Sequence, residues 1–312
     1  MKLGFLGLGF MGKPMALNLA RHFQLTVWNR SPSKYPAFLQ AGCKTAETPA
    51  QVARESDIIF TMLFNSHAIQ SILDAEFLRS LRGKILVNTS SVPVDFSHSL
   101  DKQVRQAGGS FIEMPVSGSK VPAERGELVG MLAGDRELAT SLQPVVKHIT
   151  TAAVYCGPIG MGLKTKYAVN LYLITTTAGL AESMNLARAQ GLDVEAFVQV
   201  LDAGPMASPY SKLKLAKMLA QDWSPQAAIK DCFNITQLIT SAAKAAQTQS
   251  PFIQLCETMY GRAIQSGIGD EDMIALTKTL AEPLRKSSEL LVPSSEPPSD
   301  AVDRKAIKSQ LE

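Results

Sequence analysis

The chain has 312 residues, of which 46% are hydrophobic and 19% are charged, so it can form two domains or one large one with a substantial core. A formal net charge of +3 is too small to favour nucleic acid as a partner. The four cysteines form no CxxC pair, which argues against a disulfide framework.

The first motif is a glycine turn placed between a strand and a helix. Met1–Leu6 is a short apolar run, typical of a parallel strand that is buried on both faces. A GxGxxG turn follows at once, then a helical pattern over Lys13–Phe23 and a second strand over Leu25–Trp28. This context favours a dinucleotide site over a glycine turn without a ligand, because the helix N-terminus offers N–H groups to phosphates. The candidate phosphate-binding residues are Gly7, Gly9, Phe10, Met11 and Gly12.

The residues after the second strand indicate which dinucleotide fits. A carboxylate at this point would bind the ribose 2′-hydroxyl of NAD, but the chain has Asn29, Arg30 and Ser31. Arginine can fork onto a 2′-phosphate, and asparagine and serine can donate hydrogen bonds to it. The pattern predicts NADP, and the alternative is that Arg30 is an ordinary charge at a strand end.

Strands and helices then alternate to about residue 157, the pattern of a doubly wound α/β sheet of the Rossmann type. The further predicted strands are Asp57–Leu63, Lys84–Asn88, Ser110–Glu113 and, as the last one, Leu128–Ala133. Helices are predicted over Ser33–Ala41 and Thr48–Glu55, the second with Thr48 as its N-cap. Because ligands bind at the carboxyl ends of parallel strands, we expect Met62 and Leu63 to face the cofactor.

Two other strand ends carry small polar residues. Thr89-Ser90-Ser91 suits a nicotinamide or a substrate carboxylate, and it is equally compatible with an ordinary turn. Pro115–Ser119 places a glycine between serines, which leaves N–H and hydroxyl groups free to receive an anion.

The longest continuous pattern is Gly157–Gly191, which predicts a helix that is apolar on most sides and therefore buried. A membrane span is disfavoured because lysines, an asparagine and threonines interrupt the apolar run. Lys166 and Asn170 are four residues apart and share one helix face. Either Lys164 and Lys166 both reach water in a solvated first turn, or Lys166 directs its amine into a cleft.

After this helix the strand patterns stop, and the remainder is predicted to be all-α. The chain therefore divides into a dinucleotide-binding domain over 1–159, a helical domain over 160–290 that begins with the long interdomain helix, and a disordered tail over 291–312.

Four blocks occur in an order that resembles the β-hydroxyacid dehydrogenase family over about residues 1–285. The blocks are GLGFMGKPMALNL, NTSSV, PVSGSKVPAERGEL and GPIGMGLKTKYAVN, beginning at Gly7, Asn88, Pro115 and Gly157. A fifth block, Ile229–Asp231, matches a lysine block that faces the cofactor. VWNRS and the PVSGS run are most similar to the glyoxylate/succinic semialdehyde reductase branch.

The resemblance implies a role for each matching position. Lys166 falls on the catalytic lysine and Asn170 on a residue that orients the substrate, while Ser91 and Lys230 fall on positions near the cofactor. The positions that match the loop binding the substrate carboxylate are Ser117, Gly118 and Ser119. Departures from the family pattern at Asn88, Val169 and Phe64 affect the identity of the substrate more than the reaction.

The activity implied is reduction of a short aldehyde acid, such as glyoxylate or succinic semialdehyde, by NADPH with Lys166 as proton donor. The alternatives are oxidation of 3-hydroxyisobutyrate or a related β-hydroxyacid, imine reduction, and a non-catalytic binding module. The resemblance also implies a homodimer or homotetramer built through the helical half.

Other polar residues and the chain start complete the expectations. The four histidines, which stand in no block with a partner, are interpreted as surface or packing residues, and no cluster has metal-ligand spacing, so no metal is expected. The cysteines are interpreted as small buried hydrophobes of a reducing compartment, and no leader precedes the first motif. We expect a cytoplasmic protein, or one inside an organelle after loss of a transit peptide.

Overall fold

The computed structural model describes residues 1–281, in which one sheet with its flanking helices is followed by a helical half. The strands are β1 (Lys2–Leu6), β2 (Gln24–Trp28), β3 (Lys44–Thr45), β4 (Ile58–Thr61), β5 (Ile85–Asn88), β6 (Ser110–Glu113), β7 (Val116–Ser117), β8 (Leu128–Gly134) and β9 (Thr150–Gly157). The helices of the first half are α1 (Gly12–Ala20), α2 (Pro36–Gln40), α3 (Pro49–Glu55), α4 (Ser66–Gln70), α5 (Ala75–Ser80), α6 (Val94–Gln106), α7 (Lys120–Arg125), α8 (Arg136–Ser141) and α9 (Gln143–Val146). Those of the second half are α10 (Met161–Ala189), α11 (Val194–Ala203), α12 (Pro209–Leu219), α13 (Ile229–Ala245), α14 (Pro251–Gln265) and α15 (Leu276–Leu280).

The sheet has the strand order of a dinucleotide-binding fold. β3-β2-β1-β4-β5-β6 are parallel neighbours, which is the 3-2-1-4-5-6 order whose reversal point forms a ligand crevice. β8 runs antiparallel to β6 and β7, and both pair with it in one unbroken register, Glu113 opposite Ala133 and Val116 opposite Gly130. The predicted Rossmann-type sheet followed by an all-α half is confirmed.

Two cores lie on the two faces of this sheet. In β4, Phe60 belongs to the core that also contains Met15 of α1, whereas its neighbour Ile59 belongs to the core that continues into the helical half. Alternate residues of a strand point to opposite faces, so a strand buried on both sides contributes to both cores. The core that contains Ile59 also includes Tyr167 of α10, so this core connects the long helix to the sheet.

The prediction that Leu128–Ala133 is the last strand is wrong, because β9 follows and pairs with β8 in parallel. β9 was missed because it is an edge strand with small and exposed residues, and it lacks the apolar run of the inner strands. The long helix begins at Met161, one residue after the predicted start of the helical domain at residue 160. The predicted helix over Ser33–Ala41 is also interrupted, since α2 begins only at Pro36.

In the helical half, α10 is the central element and packs against every helix from α11 to α15. No helix among residues 1–281 is long and apolar enough to cross a membrane. The domain boundary at residue 159 stays a prediction, and the boundary at residue 290 and the tail over 291–312 lie outside the described residues.

Candidate active site

The glycine turn between β1 and α1 is packed so closely that two of its three glycines leave no room for a side chain. A Cβ added to Gly7 would lie 2.3 Å from the carbonyl oxygen of Met62, and one added to Gly12 would lie 2.0 Å from the carbonyl oxygen of Gly7. Gly9 differs, because nothing lies within 4 Å of its Cβ position. α1 has no side-chain cap at its N-terminus. Open space beside uncapped N–H groups fits the pyrophosphate of a dinucleotide.

Asn29, at the end of β2, is hydrogen-bonded to the backbone of the glycine turn. Its Oδ1 accepts a hydrogen bond from the backbone N–H of Leu8 at 2.9 Å, and its Nδ2 donates to the carbonyl of Ser31 at 3.1 Å. The hydroxyl of Ser31 is hydrogen-bonded to that of Ser33. Arg30 is exposed and forms no ion pair with any residue in 1–281. Of these strand-end residues, Arg30 has the side chain most available to a phosphate.

Lys166, in the second turn of α10, is buried with 8% of its surface exposed. Its ammonium has no hydrogen-bond or ion-pair partner within residues 1–281. Desolvation lowers the pKa of Lys166 to about 8, against a smaller opposing effect of the Cys232 thiol. Lys164 is exposed, so the solvated-turn interpretation holds for Lys164 but not for Lys166.

The start of α10 is held by a buried carboxylate from the end of β6. Glu113 is fully buried and accepts hydrogen bonds from the backbone N–H groups of Gly160 at 3.0 Å and Leu163 at 2.7 Å. It also accepts one from the hydroxyl of Ser97 at 2.6 Å. A negative charge at a helix N-terminus is favourable because it accepts hydrogen bonds from the unpaired N–H groups and is attracted to the positive end of the helix dipole. This contact therefore fixes the helix one turn before Lys166.

Replacing Glu113 with alanine is expected to lower the free energy of unfolding by about 3 kcal/mol, because two buried N–H groups lose their acceptor. The comparison is Ser97→Ala, which removes one donor to the same carboxylate and should cost about 1 kcal/mol. Denaturant unfolding of the two variants measures both losses. Equally small losses would show that the carboxylate does not hold the helix.

A cavity of about 300 Å³ lies beside the glycine turn and reaches Lys166. Seven residues predicted to bind the cofactor line it, namely Gly9, Phe10, Met11, Gly12, Met62, Leu63 and Ser91. Four residues predicted to act on the substrate also line it, namely Gly118, Ser119, Lys166 and Asn170. The predicted residues that do not line it are Gly7, Asn29, Arg30, Ser31, Ser117 and Lys230. The structure thus brings residues from both halves of the chain to one space.

Asn170, one turn after Lys166, lines this cavity and carries a buried polar atom without a partner. The residue is 5% exposed, and its Oδ1 atom is buried with no hydrogen-bond partner among the described residues. Buried polar atoms are rarely left without a partner, so such an atom indicates a ligand or water that completes it. Lys166 and Asn170 therefore offer one cation and one amide to the same ligand.

The second wall of the cavity comes from α13, which contributes residues other than the predicted Lys230. Lys230 is half exposed and forms an ion pair with Asp270 away from the cavity. Asp231, Asn234 and Ile235 line the cavity instead. Burial raises the pKa of the Asp231 carboxyl, against the opposing charge of Lys230. The spacing i, i+3, i+4 after the IKD block is the signal that could have identified this helix face.

Ser90 and Thr89 hold the loop after β4 at the cavity edge. The hydroxyl of Ser90 accepts a hydrogen bond from the backbone N–H of Leu63 at 2.8 Å, and the hydroxyl of Thr89 donates to the carbonyl of Thr61 at 2.7 Å. Thr89 and Ser90 thus have structural contacts, and Thr89 and Ser91 both line the cavity.

Comparison with family models matches both halves of the chain. A model described as the NAD binding domain of 6-phosphogluconate dehydrogenase matches residues 2–157. A model described as NAD-binding of NADP-dependent 3-hydroxyisobutyrate dehydrogenase matches residues 160–280.

Individual proteins are similar to the chain over nearly its whole length. Glyoxylate/succinic semialdehyde reductase 2 of Arabidopsis thaliana, a chloroplastic protein, is 31% identical over 282 residues, which cover 89% of this chain and 79% of the relative. Glyoxylate/succinic semialdehyde reductase 1 of the same plant is 30% identical over 284 residues, 90% of this chain and 98% of the relative. The crystal structure of a 3-hydroxyisobutyrate dehydrogenase from Salmonella typhimurium superposes with a TM-score of 0.82 at 22% identity, covering 89% of this chain and 99% of that one.

Proposed function

The chain belongs to the 3-hydroxyisobutyrate dehydrogenase-like family of NAD(P)-dependent β-hydroxyacid dehydrogenases, and within it we propose that this chain reduces short aldehyde acids such as glyoxylate and succinic semialdehyde with NADPH. The observation that carries the proposal is Lys166, a buried residue that lines the cavity beside the glycine turn and whose ammonium has no partner among the described residues. The names of the two plant relatives support the choice of substrate class.

The residues present fit a dinucleotide, because Gly9 leaves open space at the uncapped start of α1. When bound, NADPH supplies the hydride. Lys166 then has the task of stabilising the carbonyl oxygen of the aldehyde as negative charge develops there, and of donating a proton to it. Asn170 orients the same end of the substrate, because the N–H groups of its Nδ2 can donate a hydrogen bond to the carbonyl oxygen. The backbone and hydroxyl groups of Gly118 and Ser119 receive the substrate carboxylate.

The pKa of Lys166 predicts opposite pH profiles for the two directions. Reduction needs the ammonium, so kcat/KM for glyoxylate should be level below about pH 8 and fall above it. Oxidation of the hydroxyacid needs the neutral amine and should rise towards about pH 8 and then level. Steady-state rates across this range measure both profiles, since the substrate carboxylate stays ionised throughout. Profiles that change in the same direction would contradict this role for Lys166.

Three alternatives remain for this site. Oxidation of 3-hydroxyisobutyrate or a related β-hydroxyacid uses the same residues in the reverse direction, and the family model of the helical half favours it. Imine reduction and a non-catalytic binding module are both disfavoured by Lys166, because neither requires a buried, unpaired lysine beside the cofactor.

A panel of substrates and cofactors tests the proposal. Glyoxylate, succinic semialdehyde and a plain aldehyde without a carboxylate are each assayed with NADPH and with NADH, and 3-hydroxyisobutyrate is assayed with NADP⁺. We expect the highest kcat/KM for an aldehyde acid with NADPH. Turnover of 3-hydroxyisobutyrate alone would establish the alternative, and no turnover of any acid would overturn both.

We further propose that the chain forms a homodimer or homotetramer through its helical half. The exposed side of α10 supports this, because it carries apolar residues at helical spacing, including Val169, Tyr172 and Leu186, which are 38%, 74% and 57% exposed. Light scattering should give at least twice the mass of the chain, and Tyr172→Lys should reduce it. A monomeric wild type would contradict the proposal.

A cytoplasmic location is part of the same proposal. All four cysteines are free, as expected in a reducing compartment. Three of them are buried as predicted, whereas Cys156 on the edge strand β9 is only partly so. Fractionation of the source cells would test this location, and recovery inside an organelle would contradict it.

A further inference from the structure

An ion pair between Lys214 of α12 and Asp272 lies in the interior of the helical half. Their side chains are 2% and 0% exposed, and the Nζ to Oδ1 distance is 2.7 Å. It is the most deeply buried of the ion pairs within residues 1–281. Desolvation lowers the pKa of Lys214, and the charge of Asp272 opposes this effect. Burial of two charges gives little net stability, so stability alone does not explain the pair.

Asp272 connects this pair to the segment that precedes α13. Its Oδ2 accepts a hydrogen bond from the backbone N–H of Gln226 at 2.8 Å, and its own N–H donates to the carbonyl of Trp223 at 2.9 Å. Asp272 also forms an isolated antiparallel bridge with Ala228. The N–H of Met273 donates to the carbonyl of Ala227 at 2.8 Å. One buried residue thus fixes both ends of the 223–228 segment.

The segment fixed in this way forms a wall of the cavity. Gln226 and Ala227 line it, and the Oε1 atom of Gln226 is buried without a partner among the described residues. α13 begins directly afterwards and has no side-chain cap. Its first N–H groups, those of Ile229 and Lys230, donate instead to carbonyls of residues 271 and 269, at 2.9 and 3.0 Å. The start of α13, and with it Asp231, is therefore held from the same turn that carries Asp272.

We propose that the Lys214–Asp272 pair is a positioning pair, which sets substrate affinity by holding Gln226 and the start of α13 against the cavity. The cofactor-side wall is formed by the glycine turn and the loop after β4, and neither forms a hydrogen bond or ion pair with Lys214 or Asp272 among the described residues. The kinetic part of this inference rests on the proposed function, and its structural part does not.

The test compares Asp272→Asn with Arg105→Met in the full chain. Asparagine keeps the shape of Asp272 and weakens its hold on Lys214 and Gln226. Arg105 pairs with Asp101 on the surface of α6, with 53% and 20% of the two side chains exposed, and neither residue lines the cavity. Hydrogen exchange by mass spectrometry reports on residues 223–232 and, as reference, on residues 7–12. Kinetics with glyoxylate and succinic semialdehyde report KM and kcat, and NADPH binding is measured separately.

For Asp272→Asn we expect faster exchange confined to residues 223–232, a rise in KM of about tenfold or more, and NADPH affinity changed less than about twofold. Arg105→Met should alter none of these. If Asp272→Asn does not fold, Lys214→Met/Asp272→Asn removes the buried charge that is left, and the same measurements apply. Unchanged exchange in residues 223–232, or faster exchange throughout the helical half with KM unchanged, would overturn the proposal. If the wild-type protein turns over neither glyoxylate nor succinic semialdehyde, the proposed function is overturned instead. The hydrogen-exchange result alone then decides whether the pair positions residues 223–232.

Discussion

Replacement of Lys166 with methionine is expected to lower kcat by about 10³-fold while NADPH affinity stays within about twofold of the wild type. Methionine fills the same buried space but cannot donate a proton or stabilise an oxygen that gains negative charge. The proposed cofactor contacts come from the glycine turn and the end of β2, so binding of NADPH should not depend on this amine. Stopped-flow turnover and fluorescence titration with NADPH measure the two quantities independently.

Lys164→Met is the matched control for this experiment. It removes the same side chain from the same helix, two residues earlier, at an exposed position outside the cavity. Its kcat should equal that of the wild type. If both variants lost activity equally, the effect would come from the helix rather than from an amine in the cavity. Full turnover by Lys166→Met would remove the basis of the proposed mechanism.

Replacement of Arg30 with aspartate is expected to weaken NADPH binding by about 100-fold and to leave NADH binding nearly unchanged. The guanidinium is exposed and has no ion pair within the described residues, so it can form two charge-assisted hydrogen bonds with a 2′-phosphate. Aspartate removes them and adds repulsion, and it also offers an acceptor to the 2′-hydroxyl of NADH. Dissociation constants for both cofactors measure the change.

Arg79→Asp, on the exposed surface of α5, makes the same change of charge away from the cavity and controls for the net charge of the chain. It should shift neither constant by more than about twofold at moderate ionic strength. Equal losses for NADPH and NADH in Arg30→Asp would mean that another residue binds the 2′-phosphate.

The features that the sequence predicted well are those whose cause is local. Thr48 accepts the hydrogen bond from Gln51 that an N-cap requires, and the glycine turn follows from the order strand, GxGxxG, helix. The inner strands were found because parallel strands buried on both faces have continuous apolar runs. The spacing of Lys166 and Asn170 also follows from helix geometry alone.

Features that depend on contacts distant in sequence were missed. β9 lies at the edge of the sheet, where small and polar residues suffice, so no apolar run marked it. Asn29 stays a predicted cofactor residue, but the sequence did not indicate that its amide oxygen accepts a hydrogen bond from Leu8, 21 residues away. Lys230 also stays a prediction, and Asp231, which lines the cavity, was not named because the direction of a side chain at a helix start depends on the turn that holds the helix.

The most direct test of the account is the structure of a ternary complex with NADP⁺ and glycolate or 4-hydroxybutyrate, the products of the two proposed substrates. The account predicts that Nζ of Lys166 lies about 3 Å from the hydroxyl oxygen of the product, with the carboxylate at Gly118 and Ser119. A complex in which Nζ contacts only water or protein, and another group binds that oxygen, would contradict it.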